Sequence, residues 1–201
     1  MKKGLLIGCS IVVVILLVIA VLVIWGIGVY NNLVTLNESV NQAWSQVENQ
    51  YQRRTDLIPN LVSTVKGYAN FEKEVLTKVT EARASVGAVK ATPEILNDPQ
   101  AFQRFQSAQN NLSGALSRLL VTVENYPNLK ANENFLSLQA QLEGTENRIS
   151  VERMKFNQTV QDYNTRIKRF PAFVFAGVSG FKEKQYFKSA PGAENAPKVE
   201  F

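Results

Sequence analysis

The chain has 201 residues, with 22 Lys and Arg against 17 Asp and Glu, one Cys and no His. Without histidine the Ser-His and Cys-His nucleophile pairs and the usual zinc sites are excluded, and a single thiol rules out a disulfide framework. A formal net charge of +5 is too mild a bias for nucleic acid, whose binders carry a dense basic stripe.

Residues 4–30, GLLIGCSIVVVILLVIAVLVIWGIGVY, contain no charged side chain. As a helix rising about 1.5 Å per residue they reach roughly 40 Å, enough to cross a hydrocarbon core of about 30 Å with tilt or overhang. Residues 1–30 therefore predict a membrane anchor with a short N-terminal flank. Trp25 and Tyr30 stand where the apolar run gives way to Asn31 and Asn32, the level at which amphipathic rings settle among headgroups. A cleavable signal peptide has a shorter apolar core of about 7–15 residues, so Gly26-Ile27-Gly28 reads as membrane sequence and not as a cleavage site. Leu6-Ile7-Gly8-Cys9 has the look of a lipid-attachment box, but the long apolar run follows the Cys; Cys9 reads as a small apolar membrane residue. Gly4 and Gly8 have helix-pairing spacing, yet two glycines near one membrane surface do not define a face. Lys2 and Lys3 precede the anchor, and no Lys or Arg follows it until Arg53. The positive-inside bias thus predicts a cytoplasmic N-terminus and a domain outside the cytoplasm.

Beyond the anchor lie all 17 acidic and 20 of the 22 basic residues, a formal charge of +3. Leu33, Leu36, Val40, Ala43 with Trp44, Val47 and Tyr51 recur at steps of three and four, a helical stripe. It resumes at Leu57, Ile58, Leu61, Val65, Tyr68, Val75, Val79, Ala82 and Val86, with Pro59 the one breaker between. Pro59 either kinks a single helix over 31–90 or opens a new one capped by Thr55 or Asp56; the strength of the stripe on both sides favours a kink. Thr92-Pro93 and Asp98-Pro99 predict a loop over 87–99 with one short helical turn. A second helix follows from about Pro99 to Asn125, burying Phe102, Phe105, Ala108, Leu112, Ala115, Leu116, Leu119 and Val123. Asn132 caps a third, with the stripe Phe135, Leu138, Leu142, Thr145, Ile149, Phe156, Val160, Tyr163, Ile167 and Phe170, ended by Pro171. The fold class expected for residues 31–188 is all-α, an antiparallel bundle of three to four long helices. The segment PAFVFAGVSGF, residues 171–181, is too short to span a bilayer; Phe173, Phe175 and Phe181 either pack back on the bundle or form a docking patch for a partner. Residues 189–201, with two prolines among small and charged residues, read as a disordered tail.

An unbroken first helix of some 60 residues outruns its partners, so Leu33, Leu36, Val40, Trp44, Val47 and Tyr51 are expected to pair with another copy and make a homo-oligomer; a sharp fold at Pro59 would instead close a four-helix bundle. Carboxylates are the remaining candidates for chemistry. Glu48, Arg53, Arg54 and Asp56 cluster on the first helix, Glu143, Glu146 and Arg148 on the third, and Glu124 near the turn between. With the amides of Asn60 and Asn147, they are expected to fix the register between helices in preference to acid-base catalysis. No catalytic residue, cofactor site or metal site is assigned.

These clusters lie within AWSQVENQYQRRTDLIPNLVSTVKGY (43–68), LLVTVENYPNLKANENFLSLQAQLEGTENRISVER (119–153) and YNTRIKRFPAFVFAGVSGF (163–181). Together these motifs closely resemble the LemA family of bacterial membrane proteins, over about Tyr30 to Phe187. Where many members have His-Glu after the Gly-Tyr, this chain has Phe71-Glu72, so a mechanism relying on that His does not operate here. The resemblance implies an N-terminal anchor in the cytoplasmic membrane of a bacterium, a domain of long antiparallel helices and no established biochemical activity. It also implies, through the genes that often lie beside family members, HtpX-type membrane metallopeptidases or TPM-domain proteins as partners. The reading is a non-enzymatic envelope scaffold or adaptor, with an envelope enzyme using carboxylates, or a direct regulator of a membrane metallopeptidase, as the alternative.

Overall fold

The computed structural model describes residues 2–68, 71–89 and 91–188, with side chains from residue 11 onward. The side chains of Lys2, Lys3 and Cys9, and the 189–201 tail, lie outside the described residues. Six α-helices and a 3-10 turn follow in order: α1 (Lys2–Lys66), α2 (Lys73–Ala88), the turn Pro93–Asn97, α3 (Pro99–Val123), α4 (Pro127–Lys130), α5 (Glu133–Lys168) and α6 (Ala172–Ser179). No strand occurs among the described residues.

The long helices run up, down, up and down. Asn32 of α1 meets Arg166 of α5, and Arg54 meets Glu146, so these two are antiparallel. Trp44 meets Phe102 and Phe105 while Arg54 meets Gln109 and Ser113, so α1 and α3 ascend together. Phe71 at the start of α2 sits on Tyr126 beyond the end of α3, and α2 packs antiparallel along α3.

The ends follow local chemistry. The Asp98 carboxylate accepts from the backbone N–H groups of Gln100 and Ala101 at 2.9 and 3.1 Å, and Pro99 follows in the first turn, where its missing N–H costs nothing. Asn132 caps α5 by accepting from the Phe135 N–H at 3.0 Å.

The first helix departs from expectation. It passes through Pro59 and ends at Lys66, so the break falls between Lys66 and Lys73, and in place of the one kinked helix expected over 31–90 there are two antiparallel helices. A proline at 59 lacks the N–H that would bond the Thr55 carbonyl one turn back. That carbonyl instead accepts from Arg83 Nε of α2 at 3.3 Å. The folded-back helix supplies the donor the proline removed.

This fold also corrects the expected self-association stripe. Leu33, Val40, Trp44 and Val47 are fully buried, Tyr51 nearly so and Leu36 half-buried, all within the chain's own core. The first helix does not outrun its partners, because α1 beyond Tyr30 is matched by α5, 36 residues long and antiparallel to it, together with α6 and the segment 181–188. The core has two parts. One, nearest the anchor, is aromatic and gathers Trp44, Phe102, Phe105, Phe156, Tyr163 and Phe187. The other, at the far end, is mainly aliphatic, built from Ile58, Leu61, Val79, Leu112, Leu119 and Leu142 with Phe71 and Phe135.

Candidate functional site

Between the two core regions lies a polar layer centred on Arg54, which is 1% exposed. Its guanidinium donates to Glu146 Oε2 at 2.7 Å, to Ser113 Oγ at 2.8 Å and to Gln109 Oε1 at 2.5 Å, tying α1 to both α3 and α5. The same group lies 5.2 Å from the centroid of the Tyr51 ring. Burial pushes the Tyr51 hydroxyl pKa up against the opposing pull of Arg153 and Arg54. Arg54 Nε has no hydrogen-bond partner. A small cavity of about 170 Å³ opens beside the layer, lined by Arg54, Ser113, Ser117, Leu142, Glu143 and Glu146. It presents two carboxylates and two hydroxyls.

Of the ten residues expected to fix register, the structure brings together one interhelical pair, Arg54 and Glu146, whose carboxylate is half exposed. The others do not join it. Arg53, Asp56, Asn60, Glu124, Glu143, Asn147 and Arg148 are exposed and Glu48 is half-buried. Asp56 accepts from Gln52 and Glu143 from Gln139 within their own helices, at 2.7 and 2.9 Å, and Glu124 pairs with Lys130 across the α3–α4 turn. These residues sit outside the buried stripes at positions that the helical period turns towards water, where a charge keeps its hydration. Gln109 and Ser113, missed in the sequence, belong to the layer; they lie four apart on the α3 stripe face beside Phe105 and Leu112, and polar residues at such spacing were the available signal.

A second polar device holds the C-terminal segment. Asn157 and Asn164, seven apart on α5, each exchange two hydrogen bonds with one residue of the segment: Asn157 with the N–H and carbonyl of Phe187, Asn164 with those of Lys184, all at 2.9 Å. Two side-chain amides thus stand in for a neighbouring strand. Tyr163 donates to the Lys182 carbonyl at 3.0 Å and Gln106 to that of Lys188 at 2.7 Å. The clamp seats Phe187 flat against Trp44, with ring centroids 6.0 Å apart and planes 18° from parallel, under the Arg153 guanidinium.

Two further surfaces stand at the ends of the bundle. At the tip farthest from the anchor, a groove of about 700 Å³ between the end of α1 and α2 is lined by Lys66, Tyr68, Phe71, Lys73, Leu76 and Thr80. At the other end α6 sits beside the anchor: Phe175 makes an edge contact with Trp25 at 6.2 Å, and Phe181 with Tyr30 at 5.9 Å. Of the three phenylalanines considered for docking, Phe175 and Phe181 are half-buried and Phe173 is exposed. From Ile11 to Trp25 every side chain of α1 is exposed, the state of a helix whose surroundings are lipid. Among the described residues α1 is the one helix long and apolar enough to cross a membrane.

Comparison with known proteins fits this architecture. The family model described as LemA family matches residues 43–201. Similar proteins include the magnetosome protein MamQ of Magnetospirillum gryphiswaldense, 29% identical over 181 residues covering 82% of this chain and 66% of that protein. Magnetosome protein MamQ 1 of Paramagnetospirillum magneticum is 27% identical over 181 residues, with the same shares of 82% and 66%. Protein LemA of Metamycoplasma hominis is 24% identical over 144 residues, 72% of this chain and 62% of that protein. The chain therefore spans just under two thirds of the length of the relatives it matches. Neither LemA nor MamQ is a known enzyme family, and the chain is a membrane-associated helical protein with one helix apolar enough to span a bilayer among its described residues. With a family match over most of its length, the chain belongs to the LemA family.

Proposed function

We propose that this protein is a scaffold of the bacterial cell envelope, with its N-terminus in the cytoplasm, α1 crossing the cytoplasmic membrane once and the bundle outside, presenting surfaces to other membrane proteins. The observation that carries the reading is the continuity of α1. One 65-residue helix is both the membrane span and the central helix of the domain, so the bundle is held in fixed relation to the bilayer instead of hanging from a linker. The groove at the far tip, where Tyr68, Phe71 and Leu76 lie among Lys66, Lys73, Thr77 and Glu81, is the surface best placed for a partner. Gene neighbourhood in the family nominates an HtpX-type metallopeptidase or a TPM-domain protein for that place. Relatives named as magnetosome proteins favour a structural role at a membrane over a catalytic one. The protein self-associates in this scheme through surfaces other than the Trp44 stripe, which the core consumes.

Crosslinking in intact cells, followed by identification of the adducts, tests this. The expected products are multiples of the 22.4 kDa chain and adducts with one of the two nominated partner classes. A reporter active only outside the cytoplasm, fused after residue 201, should be active. Recovery of monomer alone, or activity only from a cytoplasmic reporter, would refute the scheme.

A further inference from the structure

Helix α6 is built inside out for water. Its small residues Ala172 and Ala176, one turn apart, are 0% and 4% exposed and face α1 and α5. Three of its four large apolar residues point away: Phe173 is 63% exposed, Val174 52% and Val178 87%, with Phe170 just before it at 82%. A soluble helix buries the large residues and exposes the small or polar ones. From Pro171 to Phe181 there is no charged residue at all.

Its position supplies the solvent that this pattern suits. Phe175 lies against α1 at Gly26, where an added Cβ would come within 3.1 Å of the ring. That glycine lets the two helices touch at the last turns of the apolar span. An open groove continues from Phe175 down the anchor, walled by Ile19, Leu22, Val23, Gly26 and Ile27. The exposed face of α6 is thus continuous with the lipid-facing surface of α1. Basic residues flank it on both sides, Arg166, Lys168 and Arg169 before and Lys182 after, with Arg166 bonded to Asn32 just past the span. This is the arrangement of an interfacial segment, with apolar side chains among acyl chains and cations at the headgroups.

We propose that α6 is a second membrane-inserting element, lying at the headgroup boundary beside the emerging α1 with Phe170, Phe173, Val174 and Val178 in lipid. The protein then grips one leaflet at two points, a span and a wedge. The wedge rests on the membrane-spanning reading of α1 and on no particular choice of partner.

The test uses the full chain in vesicles of phosphatidylcholine and phosphatidylglycerol, with nitroxide labels at Val178→Cys, Met154→Cys and Val18→Cys, each in a Cys9→Ser background. Val178, Met154 and Val18 are all exposed, so labelling leaves the core intact. The ratio of collisions with oxygen to collisions with a water-soluble nickel chelate reports depth. The label at 178 should give a ratio several-fold above that at 154, corresponding to a depth of about 5–10 Å, at every protein-to-lipid ratio. The label at 18 reports independently whether α1 spans. If 178 meets the chelate as freely as 154 while 18 remains in lipid, the wedge is refuted and the span stands. If 178 is shielded from both reagents and couples magnetically to its counterpart, a second copy covers the face and the lipid proposal is likewise overturned.

Discussion

Replacing Trp44 with alanine tests whether the membrane-proximal core is built by the chain itself. The indole is fully buried, its ring centroid 5.3 to 6.1 Å from those of Phe102, Phe105, Phe156 and Phe187, and its N–H donates to the Ala91 carbonyl at 2.8 Å. Truncating a buried Trp costs about 3–5 kcal/mol, and leaving a part-buried carbonyl without its donor adds about 1 kcal/mol. The sum, about 4–6 kcal/mol, is a large fraction of a domain stability of about 5–15 kcal/mol. At about 2–4 °C per kcal/mol for a chain of this size, the melting temperature should fall by roughly 8–24 °C. Trp44→Phe keeps most of the ring packing and loses the donor, so it should cost about 1–2 kcal/mol. Far-ultraviolet circular dichroism melts of the full chain in mild detergent give the stabilities, and light scattering on the same samples gives the mass. If Trp44→Ala leaves the melting temperature unchanged while separating an oligomer into monomers, Trp44 lies between copies and the intramolecular core is wrong.

A double-mutant cycle on Pro59 and Arg83 tests the borrowed donor. Pro59→Ala should stabilise by about 1–2 kcal/mol, and Arg83→Ala, costing about 1 kcal/mol in the native background, should cost almost nothing in the Pro59→Ala one; equal costs in urea melts would count against the Arg83–Thr55 bond. In the polar layer, Arg54→Ala should lose about 2–4 kcal/mol, because Gln109 and Ser113 lose their charged donor while the half-exposed Glu146 is left in water. Glu146→Gln should lose about 1 kcal/mol, because its carboxylate is half exposed and Gln109 and Ser113 still hold the guanidinium; Glu143→Gln should stay within about 0.5 kcal/mol. Equal losses at Glu143 and Glu146 would contradict this. Asn157→Leu with Asn164→Leu should release residues 181–188, read as faster amide exchange at Lys184 and Phe187 with α2 unaffected; unchanged protection there would mean the Phe187 packing alone holds the segment. Burial pushes the Tyr163 hydroxyl up to about 12 from 10.0. Its contribution is complete below pH 10, the unfolded value, and is lost as pH rises through about 12; Tyr163→Phe should flatten that part of the alkaline unfolding curve, and an unaltered slope would rule Tyr163 out as its source.

The helical period made most of the bundle legible. The stripes on α3 and α5 match the buried residues nearly one for one, and Asp98 and Asn132 cap where an acceptor before a helix should. What misled was Pro59, because the helix in fact ends at Lys66 and the next opens at Lys73. Proline is the loudest breaker in a sequence, but here a neighbour repairs its missing bond. The real turn hid because Tyr68 and Val75, seven apart, keep a stripe in phase across the gap. The charged clusters misled for a related reason: proximity in sequence puts Arg53, Arg54 and Asp56 on different sides of one helix, so only Arg54 turns inward. Asn157 and Asn164 were unreadable as a clamp because their partner is an extended segment with no periodicity of its own. Position 71, where many family members carry His, holds a Phe buried on Tyr126 with ring centroids 5.0 Å apart, and in this chain it packs the far end of the bundle.

The unjointed first helix makes the domain a lever. From Tyr30 to Lys66 it extends about 54 Å beyond the membrane surface. Spanning helices adjust to bilayer thickness by tilting, and α1 has no break at the surface where such a tilt would be absorbed. Each 5° of tilt then carries the far tip about 5 Å sideways. A few ångströms of change in hydrocarbon thickness, too small to alter any contact in the core, becomes a displacement the size of a side chain at the groove beside Lys66.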